Sequence, residues 1–502
     1  MYDFKKINNL RGIERETLRI KFDGGLAHSH HPYKLGHKLT NDSITVDFSE
    51  NLLELITSPH SSVDNVFNEL EALGAFTLQN MSDDEITLNT SMPLSTSESE
   101  IQEADFGKSN SGEMKQTYRK GLSVRYGKVM QIIAGIHYNF SFDKELIQAK
   151  ANQNNVSFSD VYFDIINNYF EFMWLLPYLF GASPICAKSS VKDKPDYLVD
   201  LDEEFYIGKY ATSLRMSDLG YTSPAQKDLA ISYNDVNSYV RDLIKATDEI
   251  FEEYKAIGLY DSKGERIQLN ESILQIENEY YSAIRPKQVA KRCERPACAL
   301  SNRGVEYIEV RVLDVDPFAT NGISKNTALF IEAMLMTCFE EKNIRYDKSS
   351  IKQAKRNLTA VAIEGRNPKL KLCKISSDND EILLKDYALE LFEKIESTAK
   401  KMSQEYLDVV QIEKQKVLDV SKTPSAKIID IAKEKGYKNF VLETSKNVSK
   451  EFRNFKLSEK MKSKLEEQVR KSVVAEKELV ESDNISLDEY VNRYYESSKD
   501  CC

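Results

Sequence analysis

Positive charge is in short supply in this sequence. Its 502 residues hold 68 Lys and Arg against 79 Asp and Glu, for a formal net charge of −11. A chain without a basic excess cannot neutralise a run of phosphates, which excludes nucleic acid as the principal partner. Any anionic ligand must be met by local arginines or by metal ions. Long apolar runs are also missing. The most apolar stretch, 172–182, is too short to span a bilayer and contains Pro177. The opening Met1-Tyr-Asp-Phe-Lys-Lys has no apolar region of the signal-peptide kind. The expectation is a soluble, cytoplasmic protein with no membrane partner. Cysteine is sparse, seven residues with no CxxC pair, which argues against a zinc ribbon and against a disulfide framework. Cys293 and Cys298 are expected as reduced thiols. No GxGxxG fingerprint occurs. Gly181-Ala-Ser-Pro-Ile-Cys-Ala-Lys-Ser189 fails as a phosphate-binding loop, because Ala187 stands where a glycine must precede the lysine.

What is present is acid on alternating positions. In Gly12-Ile-Glu-Arg-Glu-Thr-Leu-Arg-Ile20 a period of two puts Glu14, Glu16, Leu18 and Ile20 on one face, and Ile13, Arg15, Thr17 and Arg19 on the other. Neighbouring carboxylates repel unless a cation lies between them. Two readings stay open for this stretch alone: a solvent-facing charged strand, or a site for a divalent metal or an arginine. Thr45–Ile56 sets Asp47, Glu50 and Glu54 among apolar residues, with Leu52, Glu54 and Ile56 on one strand face. Residues 131–140 form a third strand with His137 and Asn139 on one face. Residues 274–281 form another acidic strand carrying Glu277 and Glu279. In 304–317 Tyr307, Glu309, Arg311 and Leu313 alternate with Ile308, Val310 and Val312, Glu306 preceding them.

Between these strands the pattern is helical at 62–81, at 158–182 as a core helix, and at 234–254. Residues 109–121 are a loop that runs into a basic helix with Tyr118 and Arg119 adjacent. The histidine-rich Ala27–Pro32 reads as a solvated loop rather than a metal site. From Lys325 onward Lys/Glu-rich helical periods dominate, and Gly436 is the single glycine beyond Gly365. The expected organisation is a catalytic region, 1–375, built on an acidic sheet, with a C-terminal helical region, 376–502, packed on the same body.

If the acidic strands share one sheet face, that face could hold two or three divalent ions with oxygen and imidazole ligands, a surface suited to phosphoryl transfer. A glycosidase is the alternative, but it needs only two carboxylates.

Eight segments in order then resemble a known family: the Gly12 and Asp47 stretches, Gly135-Ile-His-Tyr-Asn-Phe-Ser141, Leu179-Phe-Gly-Ala-Ser-Pro184, Tyr210–Tyr221, Gln275-Ile-Glu-Asn-Glu279, Ile284-Arg-Pro-Lys287 and Tyr307-Ile-Glu-Val-Arg311. They look like the proteobacterial type of glutamate–cysteine ligase, and Glu364-Gly-Arg-Asn-Pro368 extends the match. Similarity is dense over 10–320, patchy to 375 and weak after that. The resemblance implies an α+β fold, a curved, mainly antiparallel sheet wrapped by helices and related to glutamine synthetase. It implies ATP-dependent phosphorylation of L-glutamate and attack by the amine of L-cysteine, giving γ-glutamylcysteine, the first step of glutathione synthesis. By the same resemblance Glu14, Glu16, Asp47, Glu54, His137 and Glu309 match ligands of Mg²⁺ or Mn²⁺, and Arg311 matches a group at the transferred phosphate and the glutamate. Tyr118, Arg215, Tyr221 and Tyr281 match the cysteine pocket, and Gln131 and Gly135 sit where glutamate is held. Glutathione is an expected feedback inhibitor. The absence of a glycine-rich ATP-grasp region argues against a fused protein that also completes glutathione. Two rivals remain: a carboxylate–amine ligase with another acceptor amine, and a non-catalytic metal- or amino-acid-binding protein.

Overall fold

A computed structural model describes residues 4, 7–220, 223–227, 229–291, 294–375 and 380–497. Strand β1, Leu10–Lys21, is the axis of a seven-stranded antiparallel sheet. It ends in a tight turn in which Gly24, at φ +97°, takes a backbone conformation that a side chain would strain. Strands β2 (Ile44–Val46), β3 (Leu52–Ile56) and β4 (Glu85–Thr87) lie to one side of it. Strand β5 (Gly135–Ser141) flanks the other side. A three-stranded sheet follows, β6 (Ile185–Ala187), β7 (Leu198–Asp200) and β8 (Phe205–Gly208). Strands β9 (Ile284–Lys287) and β10 (Tyr307–Asp314) complete the main sheet, in the order β2-β3-β1-β5-β10-β9 with β4 on the end of β1. A hairpin, β11 (Lys371–Cys373) and β12 (Glu381–Leu383), stands apart.

Helices wrap this sheet. In chain order they are α1 (Val63–Asn80), α2 (Asn110–Tyr126), α3 (Lys144–Asn154), α4 (Phe158–Phe172), α5 (Leu175–Phe180), α6 (Val236–Asp248), α7 (Glu252–Ile257) and α8 (Pro296–Arg303). Then come α9 (Lys325–Glu340), α10 (Lys348–Glu364), α11 (Leu384–Met402), α12 (Gln404–Leu418), α13 (Pro424–Lys435), α14 (Tyr437–Asn454), α15 (Glu459–Ser482) and α16 (Leu487–Glu496). Local chemistry starts several of them. Ser109 caps α2 by accepting from Gly112 N at 3.2 Å, and Ser157 with Asp160 forms a reciprocal capping box at the start of α4. Helix α9 is buried along nearly its whole length and packs against α4, α11 and α12. Helix α14 packs on α1 and β4. One core therefore runs from Phe4 to Leu465.

The face of β1 turned to this helical core carries three arginines, each held internally. Arg11 pairs with Glu332 at 2.8 Å, Arg15 donates to Asn89 and Thr320 O, and Arg19 pairs with Glu85 at 3.0 Å. The acids of β1 take the opposite face.

Four expectations need correction. Residues 274–281 form no strand. Glu277–Glu279 is one 3₁₀ turn, because each acid is drawn to its own buried arginine, Glu277 to Arg295 at 2.8 Å and Glu279 to Arg125 at 3.3 Å. The helix expected over 234–254 breaks between α6 and α7, where Phe251 N donates to Glu271 O and Ile273 N to Glu249 O. The third strand starts at Gly135, after a 3₁₀ turn over Val129–Ile132. Cys298, expected as a reduced thiol, is disulfide-bonded. The chain end returns to its helix, with Ser497 O 3.7 Å from Cys298 Sγ, a proximity that sequence distance conceals. Cys293 lies outside the described residues.

Candidate active site

Antiparallel register builds the site. Residues directly opposite one another project to the same face. Glu16 of β1 faces Glu54 of β3, and Glu14 faces His137 of β5. Asn139 of β5 faces both Gly12 and Glu309 of β10, and Glu309 faces Arg285 of β9. Since positions two apart share a face, one row crosses five strand positions: Glu54, Glu16 with Glu14, His137 with Asn139, Glu309, and Arg285. A register shift between Val310 and Leu313 interrupts the ladder just where Arg311 leaves it, and Arg311 N donates instead to Ala283 O at 3.0 Å.

His137 lies at the centre. Its Nδ1 is 3.1 Å from Glu14 Oε2 and 3.5 Å from Glu309 Oε1, and its Nε2 is 3.7 Å from Glu16 Oε1. Glu14 also accepts from Asn139 Nδ2 at 2.8 Å, and Glu16 accepts from Gly135 N at 2.6 Å. Glu309 binds Arg311 Nη1 at 2.8 Å and has Lys287 Nζ at 3.5 Å. Among the described residues, one group of three or more side chains could close on a single metal ion: Glu14, Glu54 and His137, with ligand atoms within 4.8 Å of one another. Asp47 stands at the edge, 3.7 Å from Arg119 Nη2.

Electrostatics divides these acids. Burial, reinforced by Glu14, Asp47 and Glu16, pushes Glu54 well above the usual carboxylate range. Burial, with Asp47, also raises Glu16, against the pull of His137, Arg215 and Arg311. For Glu309 burial opposes ionisation, yet Arg311, Lys287, His137 and Arg285 together outweigh it and hold the carboxyl well below its ordinary value. For Glu14 burial and Glu309 oppose ionisation, yet the hydrogen bond and the charge of His137 together with Lys287 outweigh them, and the value falls.

Two cavities meet the ends of this row. One, of about 270 Å³ and mostly apolar, is lined by Gly12, Glu14, Ile56, Asn139, Phe140 and Tyr307. The other, of about 140 Å³, is lined by Arg215, Tyr281, Ser282, Arg311, Lys355 and Thr359. Arg215 donates from Nη1 and Nη2 to Arg311 O at 3.1 Å. Gln131 Nε2 donates to Tyr281 Oη at 3.3 Å. Gly135 lies against Arg215: a Cβ there would sit 2.1 Å from Nη2. Burial, first of all, drives the Tyr118 hydroxyl well above its ordinary value, and Glu279, Tyr281 and Asp47 add to it in that order. The structure thus brings Glu14, Glu16, Glu54, His137, Glu309 and Arg311 into one constellation, with Arg215, Tyr281, Gln131 and Gly135 on its flank. Tyr221 lies outside the described residues. Glu277 and Glu279 stand apart, in their own ion pairs.

Asn139, Arg285, Lys287 and Lys355 were not foreseen as site residues. Arg285 and Lys287 could have been found by extending the alternation of Glu309 and Arg311 to the neighbouring strand. Lys355 sits on α10, in a stretch with no motif around it. The histidine loop does not converge on a metal site: His28 and His30 are exposed, and burial pushes His31 down to about 3.

A family model described as glutamate-cysteine ligase matches residues 4–361. The glutamate–cysteine ligase of Pseudomonas putida is 40% identical over 503 residues, covering 97% of this chain and 95% of its own length. That of Bordetella petrii is 39% identical over 504 residues, covering 98% and 95%. A crystal structure of glutamate–cysteine ligase from Francisella tularensis in complex with AMP is 70% identical, with a TM-score of 0.99 over the full length of both chains. A bifunctional glutathione synthetase from Pasteurella multocida is 23% identical, with a TM-score of 0.70 over 89% of this chain and 53% of its own, which is a likeness of fold alone.

Proposed function

The chain belongs to the glutamate–cysteine ligase family, and from that premise we propose how its site joins L-glutamate to L-cysteine with ATP as co-substrate, releasing γ-glutamylcysteine, ADP and phosphate. The observation that supports the reading most is the row of acids with Arg311 bound to Glu309 beside it, flanked by an apolar cavity and a cationic one.

The donor set suits a hard divalent cation. It consists of carboxylate oxygens and one imidazole, and two of its buried atoms, His137 Nε2 and Glu309 Oε2, have no hydrogen-bond partner. Glu14, Glu16, Asp47, Glu54, His137 and Glu309 would hold two or three Mg²⁺ or Mn²⁺ ions, which supply neutralisation of the nucleotide's phosphate charge. The apolar cavity beside Glu14 and Tyr307 suits the adenine, and the Arg311 side suits the amino acids.

In the first step an oxygen of the glutamate γ-carboxylate attacks the terminal phosphorus of ATP and ADP leaves. Arg311, fixed by its 2.8 Å contact with Glu309, presents a planar guanidinium to the charge carried by the transferred phosphoryl group. Gln131 and Gly135 line the glutamate side. In the second step the amine of cysteine attacks the acyl carbon, loses a proton and expels phosphate. Arg215 pairs with the acceptor's carboxylate, while Tyr118, Tyr221 and Tyr281 give its thiol an aromatic wall. Residues 1–375 carry the chemistry in this reading and 376–502 support them. Glutathione, which repeats the γ-glutamylcysteine unit, would compete at the same cavity. No helix among the described residues is long and apolar enough to cross a membrane, and the use of ATP favours a cytoplasmic setting.

The test is to measure ADP and γ-glutamylcysteine in one reaction with Mg²⁺, ATP, glutamate and cysteine. Equal amounts of both are expected. ADP release driven better by another amine would assign a different acceptor. No ADP release with any amine, but ligand-dependent stabilisation, would leave a binding protein.

A further inference from the structure

The cavity at the Arg311 end of the acid row is walled by cations. Arg215, Arg311 and Lys355 line it, and none of its described lining residues is an acid. Two of the three have their charge met by the protein. Arg311 is paired with Glu309, and Arg215 donates to a backbone carbonyl and acts on the buried Asp314. Lys355 is different. It is half-buried on α10, its Nζ donates to Tyr280 Oη at 2.9 Å, and the ammonium lies 5.0 Å from the centroid of that ring. A neutral phenol does not balance a desolvated cation. Burial lowers the ammonium to about 8, and no carboxylate among the described residues offsets it.

The surroundings favour an anionic ligand. Lys355 stands where three spaces meet: this cavity, a smaller one of about 60 Å³ that holds Tyr280, and, with Thr359, a wider groove of about 700 Å³ whose wall adds Lys227, Lys352 and Arg356 against Glu364. In a chain of net charge −11, a cationic groove that narrows onto the site concentrates small anions where they react.

We propose that Lys355 binds the α-carboxylate of the acceptor amino acid, as the second cation beside Arg215, and that the groove over α10 is the route by which that amino acid arrives. This rests on the ligase reading given above. A carboxylate held from two sides cannot swing, so the acceptor's amine is aimed at the acyl carbon rather than merely brought near it.

The test compares cysteine with cysteamine, which has the same amine and thiol but no carboxylate. Full-length wild type, Lys355→Met and Lys355→Arg are assayed for γ-glutamyl product, with thermal melting as the control for folding. Lys355→Met is expected to raise the KM for cysteine about tenfold or more, the scale of one charge-assisted hydrogen bond. It should leave the KM values for cysteamine, glutamate and ATP within about twofold, and Lys355→Arg should recover most of the loss. An unchanged KM for cysteine in a folded Lys355→Met overturns the proposal. So does an equal rise for cysteine and cysteamine, which signals damaged packing, and so does a rise confined to glutamate, which assigns the carboxylate to the other substrate. If wild type makes no γ-glutamylcysteine, the ligase reading itself has failed.

Discussion

Glu54, proposed above as a metal ligand, is an acid whose surroundings oppose its charge. It faces Glu16 across the β1–β3 ladder and stands near Glu14 and Asp47, so burial and like charge both favour its protonated form. An unfolded glutamate titrates near about 4.3. The folded state of the metal-free protein keeps the proton to a much higher pH, so this group's contribution to stability is present in full below about 4.3 and is lost as pH rises towards the raised value. Metal-free wild type is therefore expected to lose thermal stability across that window, and Glu54→Gln, neutral throughout, to flatten the loss. Within that window, binding of Mn²⁺ should release a proton from wild type that Glu54→Gln does not release, with affinity reduced tenfold or more, about the scale of a disturbed ligand set. Calorimetry in two buffers of different ionisation enthalpy reads the proton directly. Equal proton release by both proteins would remove Glu54 from the ligand set.

At the scale of the element, β5 is the strand on which the two halves of the site meet. Its His137 joins the acids of β1 and β10, while its first residue, Gly135, binds Glu16 through its N–H and lets the Arg215 guanidinium rest against its Cα. A methyl group there would fall 2.1 Å from Nη2 and 2.4 Å from Cζ of a buried arginine whose other side is tied to Arg311 O. Gly135→Ala must move Arg215 rather than merely crowd it, at a cost of about 1–3 kcal/mol for overpacking. The KM for cysteine is expected to rise more than that for ATP, because the displaced group lines the cavity proposed for the amino acids and not the one beside Glu14. Wild-type kinetics in the alanine variant would mean that the arginine relaxes without consequence.

At the scale of the whole molecule, α16 closes over a buried ion pair outside the acid row. Arg295 binds Glu277 at 2.8 Å, donates to Thr247 Oγ1 at 2.9 Å and lies 5.4 Å and 5.7 Å from the rings of Tyr494 and Tyr495 on α16. Removing one partner strands the other charge in a dry interior. Arg295→Met is therefore expected to destabilise the protein by about 3–5 kcal/mol, while Arg295→Met with Glu277→Leu recovers much of that loss. Denaturant unfolding of the three proteins checks it. Additive losses in the double variant would show that the pair is not a unit.

The sequence by itself determined the strands that carry the chemistry. Alternation in 12–20 and 304–314 is a local property of the chain, and it put Glu14 with Glu16 and Glu309 with Arg311 on the right faces. The order of motifs named the family that the comparisons then found. What only the tertiary structure decided is which acids meet. Glu277 and Glu279 have the same alternating pattern as Glu14 and Glu16, yet they end in a 3₁₀ turn because Arg125, 154 residues before Glu279, and Arg295, 18 residues after Glu277, arrive beside them. Lys355 sits in a helix whose sequence gives no sign of a site, and it enters the cationic cavity because α10 packs against the 3₁₀ turn that carries Arg215. Periodicity is written along the chain and can be read there, whereas the pairing of charges depends on desolvation and distance, which exist only once distant segments are packed together.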